Sequence, residues 1–327
     1  MKMRLMRSGA LFTIGPFALV ATLAVGLALG GYLASPRPTG GVGSNGATPT
    51  RTAVAVSPTP EATGSPSSTP ASTRVPRSND AADMLRVQSE LRAAVGAPAV
   101  RTDDRVTAAA QHHAEYLARA GTIGHEESPG SSGFTGVTVR DRLAAQGYPD
   151  AVSSEVAASS DSGTEDVRFL WDLPYHRLGL MHPHAAVAGW GHAEVGAHTA
   201  TVGVLVFDFA VTAPDRVRSP TAGQRVSGSW AGDESPDPLP AGAVRPVGYP
   251  VMVVYSSARV VDLVAAKLTD PTGREVAVSV IPQIYERDYA GIVPTAPLTA
   301  GTPYRVRLEL TVAGTDVVDE WGFETAP

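Results

Sequence analysis

Part-way along this chain the spacing of apolar residues changes from a helical period to an alternating one, and that change does most to limit the fold. Met84, Leu85, Gln88, Leu91 and Val95 follow the cap cluster Ser78-Asn79-Asp80, and Gly96 with Pro98 ends that helix. A second helix opens at Asp103 or Asp104, buries Val106, Ala110, His113 and Leu117, and closes at Gly121. A third runs from Thr138 to Gly147. A fourth starts at Thr164, with Glu165 and Asp166 where the helix dipole favours acids, and ends at Pro174. Ala186 to Gly191 and Thr199 to Val211 then read as two strands joined near Gly196. Helices followed by antiparallel strands predict an α+β domain.

Beyond Pro214 the pattern is all-β. Pro250 to Tyr255 is taken as an alternating strand. Asp262 to Leu268 and Glu275 to Ile281 flank the turn Asp270-Pro271-Thr272-Gly273, and Tyr304 to Val312 and Val317 to Thr325 flank Ala313-Gly314-Thr315-Asp316. These hairpins predict a β-sandwich of about a hundred residues. Ahead of both domains, Ser35 to Arg77 is Pro, Thr, Ser, Gly and Ala with almost no large apolar residue, and cannot bury enough surface to offset its ordering entropy. Lys2, Arg4 and Arg7 precede an apolar run from Ala10 to Ala34, long enough at roughly twenty or more residues to span a bilayer. The chain is therefore expected to divide into a signal peptide or transmembrane anchor (1–34), a disordered linker (35–78), an α+β domain (79–213) and a β-sandwich (214–327). The expected location is outside the cytoplasm, either secreted or held by a single-pass anchor with the C-terminus outside.

Composition removes several chemistries. No cysteine is present, which excludes disulfides, thiolate nucleophiles and zinc–thiolate sites. A net charge of -6 with no dense basic patch argues against nucleic acid as a partner. No Gly-x-Ser-x-Gly elbow, His-Glu-x-x-His, P-loop or dinucleotide fingerprint occurs.

All eight histidines lie between His112 and His198. His125 follows the second helix, Glu155 opens an apolar stretch, and His176 follows the Trp171 helix. Two imidazoles and a carboxylate from three segments can line one cleft, where they would hold a divalent metal such as zinc or transfer protons. Plainer roles stand beside these: His113 as a hydrogen-bonded core residue, Glu155 as the salt-bridge partner of Arg142, His176 as a loop anchor. His182-Pro183-His184 lacks a third ligand and is assigned no metal.

The run Ala110-Gln111-His112-His113-Ala114-Glu115-Tyr116-Leu117 with Gly124-His125, then Gly136 to Arg142 with Gly147-Tyr148, then Trp171-Asp172-Leu173-Pro174-Tyr175-His176-Arg177, then Gly189-Trp190-Gly191, resembles the successive motifs of bacterial CAP-superfamily (SCP/PR-1-like) domains. The resemblance covers about Asp80 to Val211. It implies an α-β-α sandwich with a central cleft, faced by a histidine pair and one or two acids, which by motif position are His125, Glu155 and His176. The sequence departs from the family's Gly-Glu-Asn, having Ser154-Glu155-Val156, and offers no clear second acid. The C-terminal domain resembles Ig-like modules of bacterial surface proteins through Gly248-Tyr249-Pro250-Val251, Pro303-Tyr304 and Trp321-Gly322-Phe323-Glu324-Thr325. Three functions remain open. One is a non-catalytic surface module for a small apolar ligand, cell-envelope component or protein. Another is a metal-assisted extracellular hydrolase using His125, Glu155 and His176. The third is a structural envelope protein.

Overall fold

The computed structural model describes residues 76–257 and 260–327. The expected signal or anchor segment at 1–34 lies outside the described residues, as does nearly all of the expected linker. No helix among the described residues is long and apolar enough to cross a membrane. Among these residues nothing supplies the expected single-pass anchor, and membrane attachment as partner and location is set aside.

Polar caps start the helices where the sequence places them. Asp80 accepts from Ala82 N at 2.8 Å and opens α1 (Ala81–Ala94), and Asp103 accepts from Arg105 N at 3.0 Å and opens α2 (Asp104–Ala120). Gly121, at φ 65°, ends α2 in the left-handed conformation that glycine adopts without strain. Thr138 and Asp141 form a reciprocal capping box on α3 (Val139–Ala145). β1 (Val152–Ala158) follows, then α4 (Gly163–Asp172), α5 (Pro174–Met181), β2 (Ala185–Val195) and β3 (His198–Phe207). The three strands form an antiparallel sheet in the order β1-β3-β2.

Strand alternation sends successive side chains to opposite faces of this sheet. Ala157, Val202 and Val204 pack with Val106, Ala110 and Leu117 of α2, while Val156, Ala158 and Leu205 pack with Met84 of α1, Leu170 of α4 and Leu180 of α5. Helix α2 lies against β2 with no room between: a Cβ on Gly189 would sit 2.4 Å from Thr107 N, and one on Gly191 2.3 Å from the Gln111 Cα. That close approach is why the strand reads Gly-Trp-Gly.

The remaining strands are β4 (Arg216–Ser219), β5 (Arg225–Val226), β6 (Val251–Tyr255), β7 (Val261–Thr269), β8 (Glu275–Val276), β9 (Val278–Val280), β10 (Tyr289–Pro294), β11 (Pro303–Val312) and β12 (Thr315–Thr325). They form a four-stranded sheet, β4-β6-β10-β9, and a five-stranded sheet, β5-β12-β11-β7-β8. Both expected hairpins are present, β7–β8 around Asp270 to Gly273 and β11–β12 around Ala313 and Gly314.

Strand β6 departs from the expected half-buried alternation, because all five of its residues are buried. Val251, Val253 and Tyr255 face the five-stranded sheet, with Val306, Leu308 and Phe323, whereas Met252 and Val254 join the core that contains Leu178, Leu180 and Met181 of α5. On β10, Ile292 takes the first side and Tyr289 and Val293 the second. A strand covered on both faces has no solvent side and reads as a continuous apolar run. The helical layer and the sandwich therefore share one hydrophobic core through α5.

Arg177, fully buried on α5, completes this junction. Its guanidinium donates to the carbonyls of Trp171, Asp172 (3.0 Å) and Pro250 (3.1 Å) and to Ser219 Oγ (3.3 Å), and lies 4.7 Å from the Tyr249 ring centroid. Thermal unfolding of residues 76–327 is accordingly expected to be one cooperative transition. Met252→Ala should lower the stability of the whole by about 2–5 kcal/mol, the usual cost of such a core truncation. Two separate calorimetric transitions, with only one shifted by the substitution, would contradict the shared core.

Candidate functional site

Glu155 projects from β1 toward α2 and α3, and its side chain is 3% exposed. One oxygen, Oε2, accepts from Arg142 Nη2 at 2.7 Å, and the other, Oε1, lies 3.0 Å from His125 Nδ1 and 3.5 Å from His113 Nε2. Arg142 also donates to the carbonyls of His125 (3.1 Å), Gly136 (3.2 Å) and Val137 (3.2 Å). A second carboxylate completes the cluster. Glu127 Oε1 stands 2.9 Å from His113 Nδ1 and 3.9 Å from Arg142 Nε, while its Oε2 accepts from the backbone N–H groups of Thr135 (2.5 Å) and Gly136 (3.3 Å). The side chains of His113 and Glu127 are fully buried, and those of Arg142 and His125 nearly so.

Burial by itself would raise the pKa of Glu155. The charges of Arg142 and His113 and the hydrogen bond from His125 outweigh it and bring the value down to about 2. Glu127 is likewise held below its ordinary value: burial pushes it up, and the His113 hydrogen bond, the Thr135 N–H and Arg142 push it further down. Both acids are thus kept as carboxylates that partners inside the protein already bind.

His176 is not part of this cluster. Ser154, the neighbour of Glu155 on β1, faces α5, where a Cβ on Gly179 would meet its Oγ at 2.6 Å. Glu155 and α5 consequently lie on opposite faces of the sheet. His176 sits in the first turn of α5, and its Nδ1 lies 2.8 Å from Oε1 of Glu234, a buried residue between β5 and β6. Thus His125 and Glu155 come together, and His176 is directed elsewhere.

This arrangement corrects the expected metal site. Among the described residues no group of three or more His, Cys, Asp or Glu is placed to hold a metal ion. The physical reason is visible in the donors. A guanidinium already occupies Glu155, the His125 nitrogen nearest it is turned to the same carboxylate, and the third expected ligand is across the sheet. Neither zinc nor another divalent cation fits His125, Glu155 and His176, and the metal-assisted hydrolase reading falls with it. A groove of about 880 Å³ does exist on the sandwich, lined in part by Asp270, Tyr304, Arg305, Glu320 and Trp321, but it holds none of these residues.

One member of the cluster, Glu127, is not singled out by the sequence. No motif marks it, and only the fold brings Thr135 and Gly136 over it. Arg142 pairs with Glu155, as the plainer reading of that acid has it, and also stands 3.9 Å from Glu127.

The family model described as the cysteine-rich secretory protein family, CAP, matches residues 85–209. This segment is a CAP domain. Despite the family's description, it has no cysteine. Among solved structures, an outer surface protein from Borrelia burgdorferi is 19% identical, with 38% of this chain and 89% of that chain covered and a TM-score of 0.33. An extracellular SCP-domain protein from Bacillus anthracis is 17% identical, with 39% of this chain and 40% of that chain covered and a TM-score of 0.34. CopC from Methylosinus trichosporium is 18% identical, with 34% and 89% covered and a TM-score of 0.24. Likenesses this slight bear no functional argument. No curated protein sequence matches the chain.

The cluster in the CAP domain makes two definite predictions. Arg142→Met leaves two buried carboxylates without their cation and should cost about 3–5 kcal/mol in urea denaturation at neutral pH. Glu155 has a folded pKa of about 2 against 4.5 for the free side chain, so its share of the stability is complete above about pH 4.5 and is lost as pH falls toward 2. Denaturation between pH 7 and pH 3 should therefore show a weaker acid dependence in Glu155→Gln than in the parent; equal slopes would count against the assignment.

Proposed function

We propose that this protein is an extracytoplasmic, non-catalytic binding module in which a CAP domain (79–213) is presented together with an Ig-like β-sandwich (214–327). The observation that carries the reading is the closed polar cluster. Both oxygens of Glu155 and both oxygens of Glu127 are taken by partners within the protein, so the grouped acids and imidazoles of the candidate site have structural work. A general base must reach the proton it abstracts, and a carboxylate bound to a buried guanidinium with a pKa near 2 is a poor proton acceptor. The chain has no cysteine to serve as a nucleophile. Location outside the cytoplasm is supported by the secretory description of the matching family.

The partner class that fits a non-catalytic module of this kind is a cell-envelope component, with a small ligand or another protein as narrower cases. Residues 76–327 are expected to co-sediment saturably with purified cell-wall material and to release no product from peptide, glycan or nucleic-acid substrates. Turnover that Glu155→Gln abolishes would overturn the proposal, as would failure to bind the wall fraction at any concentration.

A further inference from the structure

Arg305, Glu320, Gly322 and Glu324 line the groove of about 880 Å³ on the sandwich. Their alternating neighbours Tyr304, Val306, Trp321 and Phe323 are buried in the sandwich core, so the groove belongs to the outer face of the five-stranded sheet. Strand register shapes its floor. Arg305 on β11 stands between Gly322 of β12 and Thr269 of β7, one residue with no side chain and one with a short one. The guanidinium is therefore the long group of that row. Glu320 and Glu324 stand two residues to either side of Gly322, on the same face of β12.

The acids of the groove are answered by arginines outside its lining. Asp270 pairs with Arg274 at 3.1 Å, Glu324 with Arg225 at 2.9 Å, and Glu320 with Arg307. Arg305 is exposed and forms no ion pair with any described residue. One positive charge of the groove is thus unanswered. Arg225 takes Oε2 of Glu324 and Arg307 takes Oε1 of Glu320, so each acid keeps one oxygen without a protein partner. An ionised carboxylate can only accept, and a guanidinium can only donate. A ligand that matches all three groups brings hydroxyl donors for the two acids and an oxyanion for Arg305. Sugars supply the hydroxyls, and a carboxylate or phosphate on a sugar supplies the anion. A peptide strand is the poorer match, because strand addition needs an open edge. Here β11 has β12 on one side and β7 on the other.

We propose that this groove binds an acidic glycan, a sugar chain bearing carboxylate or phosphate groups, with Arg305 on the anion and Glu320 and Glu324 on hydroxyls. The assignment rests on the reading of the chain as a module for a cell-envelope component, and it narrows that component to a chemical class and a place. Recognition then belongs to the sandwich, and the closed cluster of the CAP domain remains structural.

Co-sedimentation of the full chain with purified cell-wall material tests it, beside Arg305→Gln and Lys267→Gln. Lys267 is an exposed cation opposite Arg307, outside the groove, so its variant removes an equal charge from the same sheet. Arg305→Gln should weaken wall binding at least about tenfold, the loss of one charge-assisted hydrogen-bonded contact, and Lys267→Gln should leave it unchanged. Equal losses in the two variants, or none in Arg305→Gln, overturn the groove while wall binding by the parent still stands. Tetragalacturonate or maltotetraose phosphate should displace the chain from the wall, and the better competitor of the two tells carboxylate from phosphate. Neutral maltotetraose competing as well as these removes the anion from the proposal and overturns it, and so does competition by tetraglutamate alone, which would make the groove a peptide site. If the parent fails to bind the wall, the envelope reading falls, and calorimetric titration of tetragalacturonate and of maltotetraose phosphate decides the groove by itself. Saturable heat from either that Arg305→Gln abolishes supports it, and no heat from both refutes it.

Discussion

A single short helix carries the connection on which the two halves of this molecule depend. Helix α5 has one side on the CAP sheet, where Gly179 approaches Ser154, and another on the sandwich, where Met252 and Val254 meet its layer. A helix covered on several sides cannot leave its backbone ends or its charges unanswered. The sandwich supplies the answers. Glu234 caps the N-terminus, Pro250 O and Ser219 Oγ receive Arg177, and Asp288 Oδ2 stands 3.0 Å from His182 Nε2 just past the C-terminus. Removing the sandwich would expose apolar surface and also strip these partners from groups that are buried or nearly so.

The polar cluster on the other face follows the same physical rule to a different end. Two buried carboxylates would repel each other and lose their hydration, so the pair exists only because Arg142 and the histidines stand between and around them. Such a group is sensitive to loss of any one member, since each removal leaves a buried charge behind. That sensitivity is typical of catalytic sites and structural networks alike. Here both oxygens of Glu155 are hydrogen-bonded within the fold.

Much of the local structure was legible in the sequence because local chemistry determines it. Asp80, Asp103 and Thr138 cap helices through their own side chains, Gly121 ends one, and the Asp270 to Gly273 turn makes its hairpin from contacts within a few residues. The misreadings have particular causes. Pro174 reads as the end of α4, but proline at the first helical position is also a good beginning, and here it opens α5, which carries His176. Strand β1 escaped notice because Ser153, Ser154 and Glu155 look like surface residues, and all three are buried by layers distant in sequence. Pro250 to Tyr255 reads as an alternating strand, and all five residues of β6 are buried. Motif order groups His125, Glu155 and His176; the structure sets His125 beside Glu155, and since no spacing rule shows which side of a sheet a helix will take, it also sets His176 apart.

The shared core also has a consequence for how the chain comes into being. Met84, near the start of the described structure, lies in the same apolar cluster as Val293, more than two hundred residues later. A polypeptide emerging from its N-terminus reaches α1, α4 and α5 long before the strands that finish their packing exist. Until β10 arrives, those helices present an unfinished apolar layer, and closing it requires contacts across most of the chain, the slow kind of folding step. For a nascent chain the vulnerable interval is therefore set by the distance from α5 to β10, and assistance from a chaperone would be needed most while that stretch is being made.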